Sequence, residues 1–315
     1  MSGALLSAGR PAPGARRSDR APRPGGRARL QPAVYLGPLL TTLLIWVYGP
    51  LVFTVVLSLL NWNLLSPQVS WRGADNYTAL FAQSEFVQAA VNTLWYALAV
   101  LPFATVVPCA LAIALWKRPG RRSEIYRALL FLPVVLAPVA SALAWQFILD
   151  PLQGAANHLV GLIGIGPQDW LGNSATALPT VVIVTAGKIV ALNVLLFGAA
   201  LASLDRRMVE AARLDGARPR EITRWVILPQ LWRTIALLAM LSLVVVWPWL
   251  FTNIAVLTQG GPDGATSNAY YQLYTYAFTF YDEGTASATA VVITAGLGVL
   301  LGVFALALRR NHAGG

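Results

Sequence analysis

The chain has 315 residues, 57% hydrophobic and 11% charged, where an ordinary soluble domain carries about a quarter charged residues. A soluble core does not need separate apolar runs of about 20 residues each, and the six such runs here exclude an ordinary soluble domain. The formal net charge of +10 lies almost wholly before or between those runs, where membrane orientation accounts for it, which argues against nucleic acid as a partner.

In chain order, residues 1–31 are rich in Arg, Pro, Gly and Ala without helical periodicity and read as a disordered, basic cytoplasmic tail. A cleaved signal is the rival reading. Against it, the next apolar run exceeds an h-region, no A-x-A site closes it, and Arg16-Arg17 lacks twin-arginine context. Stretches long enough to cross about 30 Å of hydrocarbon predict spans at 33–59, 94–116, 128–149, 176–201, 235–257 and 286–308. Pro38 and Pro50, Pro102 and Pro108, and Pro133 and Pro138 fall within the first three. Membrane helices tolerate proline where neighbours reclaim the freed backbone groups, so kinked, packed spans are expected. The fold class is all-α, a polytopic integral membrane protein with six transmembrane helices over 32–310 and a short C-terminal tail, 311–315. Cys109, the single cysteine, lies inside a span as a small packing residue.

Lys and Arg set the orientation. Apart from Arg72 and Lys188, all 23 basic residues fall in the N-terminal tail, in the second and fourth connections (Lys117 to Arg127 and Arg206 to Arg233) or at Arg309 and Arg310. Those segments are expected to be cytoplasmic, with both termini on that side. The opposite connections carry Asp75, Glu85, Asp150, Asp169, Asp263, Asp282 and Glu283 and read as extracytoplasmic.

Several chemistries are missing from the sequence. It has no G-x-x-x-x-G-K-[ST] phosphate loop, so ATP hydrolysis by that mechanism is not expected on this chain. It has no metal-binding pattern either, since His158 and His312 stand alone. The spans hold no carboxylate of the kind that couples a carrier to protons, and Lys188 is the one ionisable residue deep in a span.

The fourth connection, about 204–234, is the informative one. Arg206 to Asp215 are good helix formers, Gly216 suits a left-handed stop and Pro219 the first turn of a second helix, predicting helix, turn, helix. Ala211, Ala212, Gly216 and Ala217 leave a slim surface suited to a groove, and Glu210 offers a carboxylate to an arginine there. A solvated amphipathic loop is the plainer alternative. Glu210-Ala211-Ala212 with Gly216 and then Val226-Ile227-Leu228-Pro229 resembles the EAA loop of binding-protein-dependent ABC importer permeases. Val226 stands where isoleucine is usual in that family.

The resemblance implies the type I transmembrane domain of such importers and gives Glu210, Ala211, Ala212, Asp215, Gly216, Ala217 and Pro229 to coupling with an ATPase. It also implies a second homologous permease, two cytoplasmic ATP-binding subunits that hold ATP and Mg²⁺, and an extracytoplasmic solute-binding protein. No cofactor is implied on this chain. Further matches narrow the resemblance to the carbohydrate-uptake branch, which includes maltose and glycerol-phosphate permeases. These are Asn76-Tyr77, Asn92-Thr93, Gly154 with Asn157, Trp170-Leu171, and Leu257-Thr258-Gln259-Gly260-Gly261-Pro262. Gly260, Gly261 and Pro262 form a tight turn leaving a span, and in the family this outer loop faces the binding protein.

The same likeness places Thr185, Lys188 and Leu192 of the fourth span, and Val246, Trp247, Leu250 and Asn253 of the fifth, near positions that line the sugar path in maltose-type permeases. An unpaired ammonium is costly in lipid, so Lys188 is expected to face protein or a wet cavity and not to snorkel. Gly298 and Gly302, spaced G-x-x-x-G, read as a close helix contact. The expected function is alternating-access import of a sugar. The rivals are a secondary carrier, which needs an ion-coupling group or an inverted repeat, and a membrane-embedded enzyme, which needs converging catalytic side chains.

Overall fold

The computed structural model describes residues 36–310, so the predicted tails, 1–31 and 311–315, lie outside the described residues. The chain divides into two units, Met1–Val52 and Phe53–Gly315. Helix α1, Leu36–Leu57, supplies the described part of the first unit and is long enough for one span. A π-type turn at Leu44–Tyr48 precedes Gly49, whose N–H bonds the carbonyl of Leu44. The looser turn lies just ahead of Pro50, which has no N–H to donate to the helix.

In the second unit, strands β1 (Leu60–Asn61) and β2 (Ser70–Trp71) pair antiparallel with Leu60 opposite Trp71. This ribbon precedes the short helix α2 (Asp75–Ala82) and, with an isolated bridge between Asn63 and Asp282, is the extended pairing among the described residues. Asn76 fixes it by donating to the carbonyls of Ser58 and Leu60, each at 2.8 Å. The next span is α3 (Ser84–Ala104) continued by α4 (Val106–Lys117). It begins ten residues before the expected 94, because its polar first turns stay helical while Phe86 and Ala89 are buried.

The third span is not one rod. Helices α5 (Arg121–Val135) and α6 (Pro138–Ile148) meet at 101°, with Leu136 extended between them and Pro138 starting the second helix. After α7 (Ala155–Gly161) comes α8 (Ser174–Ala202), then α9 (Arg206–Leu214). The expected short helix and separate fifth span are one continuous 39-residue helix, α10 (Pro219–Leu257). A π-type turn at Thr223–Ile227 lies just ahead of Pro229, which has no N–H to donate to the helix. Helix α11 (Ala269–Tyr274) and α12 (Glu283–Arg310) complete the described chain.

Among the described residues, five helices are long and apolar enough to cross a membrane, or six when the bent pair counts as one span. Helix α8 is central and packs on α3, α4, α5 and α10. Its apolar window is 61% buried against 6% for α12, so α8 lies inside this unit and α12 at its edge. Tyr96, Val100, Val181, Ile189, Val246 and Leu250 form the main core between α3, α8 and α10. The close helix contact expected at Gly298 and Gly302 is not made among the described residues. A Cβ at either position meets nothing within 4 Å, because α12 turns that face outward.

Candidate functional site

The connection between α8 and α10 folds as the spacing predicts. Asp205 caps α9 by accepting from the N–H of Arg207 at 3.0 Å. Gly216 takes φ +78°, and the N–H groups of Gly216 and Ala217 return to the carbonyls of Arg213 and Ala212 at 3.1 and 3.0 Å. This is a Schellman stop that a Cβ at position 216 would strain. Pro219 opens α10, and the carboxylate of Glu221 accepts from the N–H of Arg218 at 2.7 Å.

Only one face of α9 is tied down. Val209 is buried with Cys109 and Ile113 of α4, Phe197 and Leu201 of α8, and Ile222, Ile227 and Leu231 of α10. Lys117, at the end of α4, donates to the carbonyl of Pro219 at 3.2 Å and to the hydroxyl of Thr223 at 2.5 Å. A push on α9 therefore reaches three spans through one apolar cluster. Glu210 and Ala211 lie on the exposed side, Ala212 and Ala217 are half-buried, and Asp215 and Gly216 are exposed at the turn. Pro229 sits inside α10 and has no part in the exposed face of α9. Glu210 borders a 250 Å³ pocket with Arg206, Arg213 and Lys117. The larger groove of 790 Å³ between α4 and the start of α10 has mostly apolar walls, including Val106, Cys109, Ile113, Leu228 and Ile235, unlike a site for a hydroxyl-rich solute.

The interior of the second unit holds the polar side chains that composition alone makes conspicuous. Thr185 accepts from Asn253 at 2.8 Å, joining α8 to α10. Asn193 donates to the carbonyl of Ala104 at 2.6 Å and to Ser242 at 2.8 Å. The carbonyl of Ala104 is the one that Pro108, lacking an N–H, leaves free, so Asn193 closes the break between α3 and α4. Lys188 is 5% exposed and donates to the carbonyl of Leu136 at 2.7 Å. Val246, Trp247 and Leu250 are buried and Leu192 is half-buried. Trp247 stacks on Tyr270 with centroids 5.4 Å apart, and its Nε1 has no partner among the described residues. The faces turned outward are instead Ile183 and Gly187 on α8, and Leu237, Leu241, Val244 and Pro248 on α10.

At the end opposite Lys117 and Arg206, the turn at Gly260, Gly261 and Pro262 is held from α3. Asn92 donates to the carbonyls of Gly264, Ala265 and Ser267 at 3.1, 3.2 and 2.9 Å. Tyr96 donates to that of Thr266 at 3.0 Å, and Thr266 to that of Gly261 at 2.7 Å. Tyr276 donates to Gln83 at 2.6 Å. Burial, followed by the charges of Glu85 and Asp282, pushes its phenol up to about 12, so it remains a donor at neutral pH. In the neighbouring loop, Asn157 accepts from Trp170 at 2.9 Å and exchanges bonds with the backbone of Gln168.

The family model described as "Binding-protein-dependent transport system inner membrane component" matches residues 77–312. The chain belongs to this family. This inner-membrane component is the permease of an ABC importer, as its curated relatives also indicate. A probable ABC transporter permease protein, YurN, of Bacillus subtilis is 32% identical over 84% of this chain and 91% of its own. The sn-glycerol-3-phosphate transport system permease protein UgpA of Salmonella choleraesuis is 31% identical over 86% of this chain and 91% of its own. Among solved structures, a chain of a bacterial ABC transporter involved in import of the acidic polysaccharide alginate gives a TM-score of 0.76 at 22% identity, covering 90% of this chain and 96% of that one. A chain of a bacterial alginate ABC transporter, in a complex with a pentasaccharide-bound periplasmic protein, gives 0.79 at 21% identity over 90% and 95%. Those structures share the permease's fold.

Within the permease fold, Thr185 meets Asn253 and Val246, Trp247 and Leu250 share the main core, whereas Lys188 bonds Leu136 and Leu192 is half-buried. The bonds of Asn92 to the outer loop and of Asn193 to Ser242 and the Ala104 carbonyl were not anticipated from sequence. Their signal was an isolated Asn or Ser within an apolar run, which has to find a partner where no water is available.

Proposed function

We propose that this permease imports a sugar or sugar-like solute, delivered by an extracytoplasmic binding protein, through a path shared with a second, similar permease. Two ATPase subunits on the cytoplasmic side would hold ATP and Mg²⁺, and this chain, encoding no phosphate loop, would take no part in hydrolysis. Relatives named for sn-glycerol-3-phosphate and a fold shared with alginate importers support a polyhydroxylated substrate.

The observation that carries the reading is the build of α9. One face is fixed by Val209 to the cluster shared by α4, α8 and α10, while Glu210 stands exposed on the other. Such a helix suits an ATPase cleft, where its carboxylate would meet a basic group, and ATPase closure would move three spans at once. The clamped turn at Gly260, Gly261 and Pro262 would present a fixed surface to the binding protein. The path itself would form along the outward faces of α8 and α10, with Thr185, Asn253 and Trp247 behind them and reachable only as the helices shift.

Glu210→Ala tests this reading because alanine keeps the helix and removes the charge. In transporter reconstituted with its ATPase and binding protein, uptake of labelled sugar is expected to fall about tenfold or more, as for loss of a charge pair at a buried interface, with membrane insertion unchanged. Wild-type uptake by a variant that copurifies normally with the ATPase would refute the coupling role.

A further inference from the structure

The third span contains an unusual junction. Helix α5 stops at Val135 and α6 restarts at Pro138, 101° away. The last carbonyls of α5 therefore have no donor from a following turn, and Pro138 supplies no N–H. In a membrane interior such groups need a partner from another element.

Lys188, at the middle of α8, supplies a donor to the link between the two helices, at Leu136 just past the end of α5. Its Nζ lies 2.7 Å from the carbonyl of Leu136 and the residue is 5% exposed. The ammonium thus sits at the negative end of the α5 dipole. No ion pair forms among the described residues, and the predicted spans contain no carboxylate, so the end of a helix is what balances this charge. The two halves of the third span also have different neighbours: α5 packs on α8, whereas α6 packs on α10. Just beyond α6, Leu149 is buried with Val184 of α8 and Leu257 of α10. The angle at the elbow therefore decides whether α6 covers the end of α10 that leads to the outer turn.

We propose that Lys188 is a positioning residue of the transport cycle, its ammonium pinning the elbow of the third span so that α6 lies against α10, and releasing it when the path opens. A cation held by one carbonyl in a dry interior has a ready alternative once water reaches it. Opening a wet path beside the elbow therefore weakens the pin, and closing it restores the bond. The proposal rests on the import reading for its uptake arm, while its distance arm stands independently.

The test uses the assembled transporter in lipid nanodiscs, with Cys109 replaced and spin labels at Tyr126 on α5 and Phe147 on α6, both exposed. The Lys188 background is expected to give one narrow distance distribution. Lys188→Met should broaden or shift it and lower sugar molecules moved per ATP by about tenfold, the equivalent of one lost interhelical contact. Lys188→Arg, which keeps a cationic donor, should restore most of both. If the methionine variant fails to assemble, Lys188→Gln, neutral and shorter, carries the same comparison with arginine. An unchanged distribution and coupling ratio in the neutral variant overturns the proposal. So does an arginine variant that assembles but behaves like the neutral one, since filling the space would then matter and the charge would not. A changed distribution in a transporter that moves no sugar in any background would leave the pin standing and refute the sugar reading.

Discussion

Asn193 shows how one side chain can complete a span that the backbone cannot. Proline at 108 removes the donor for Ala104, and Asn193 meets that carbonyl from the neighbouring helix at 2.6 Å while also bonding Ser242. Leucine at 193 keeps the bulk and deletes both bonds, leaving a buried acceptor bare. The expected cost is about 1–2 kcal/mol, the scale of interhelical hydrogen bonds in membranes. Cys109, the single cysteine and 5% exposed, reports the outcome, since its thiol becomes reactive when α4 separates from α8. Thermal labelling of Cys109 should have a midpoint several degrees lower in Asn193→Leu, and an unchanged midpoint would show that Ala104 has another partner.

At the level of elements, the two informative segments at opposite ends are built differently. Helix α9 is secured along one side and presents the other, as suits a part that transmits movement. The 259–268 loop is bonded at nearly every carbonyl and held from α3 by Gln88, Asn92 and Tyr96, as suits a surface that must keep its shape. Asn92 makes three of those bonds. Asn92→Leu should therefore leave the spans inserted but free the loop, seen as faster cleavage between Gln259 and Asn268 when protease is added from the extracytoplasmic side. Cleavage at the unaltered rate would mean that the loop's own turns hold it.

Over the whole molecule, connections alternate between a basic end, where Lys117 meets Pro219 and Thr223, and an opposite end, where Asn63 bridges to Asp282. By the distribution of Lys and Arg, the basic end is expected to face the cytoplasm. A reporter that is active only after export, fused behind Gly315, is accordingly expected to stay silent, while one active only in the cytoplasm should work. Activity of the exported reporter would invert the topology.

Apolar run length and charge by themselves determined the membrane class and the prediction of which side is basic, because both are sums over local sequence; the six predicted runs match the described helices when the bent pair of α5 and α6 counts as one span. The helix, turn, helix of 206–219 was equally legible, since Gly216 and Pro219 act within a turn of their own backbone. Tertiary structure decided the rest. A proline pair predicts that the third span bends, but the 101° angle depends on what packs on each half, α8 on one side and α10 on the other. Lys188 was visible as a costly charge in an apolar run, yet its partner is a backbone carbonyl 52 residues away, and a carbonyl carries no side-chain signature. Likewise the family resemblance places Val246, Trp247, Leu250 and Asn253 near a sugar path, on one stretch of the fifth span. Only the packing of α3 and α8 around α10 shows that these four side chains are buried within the chain, because helix periodicity fixes which residues share a face and not what that face meets.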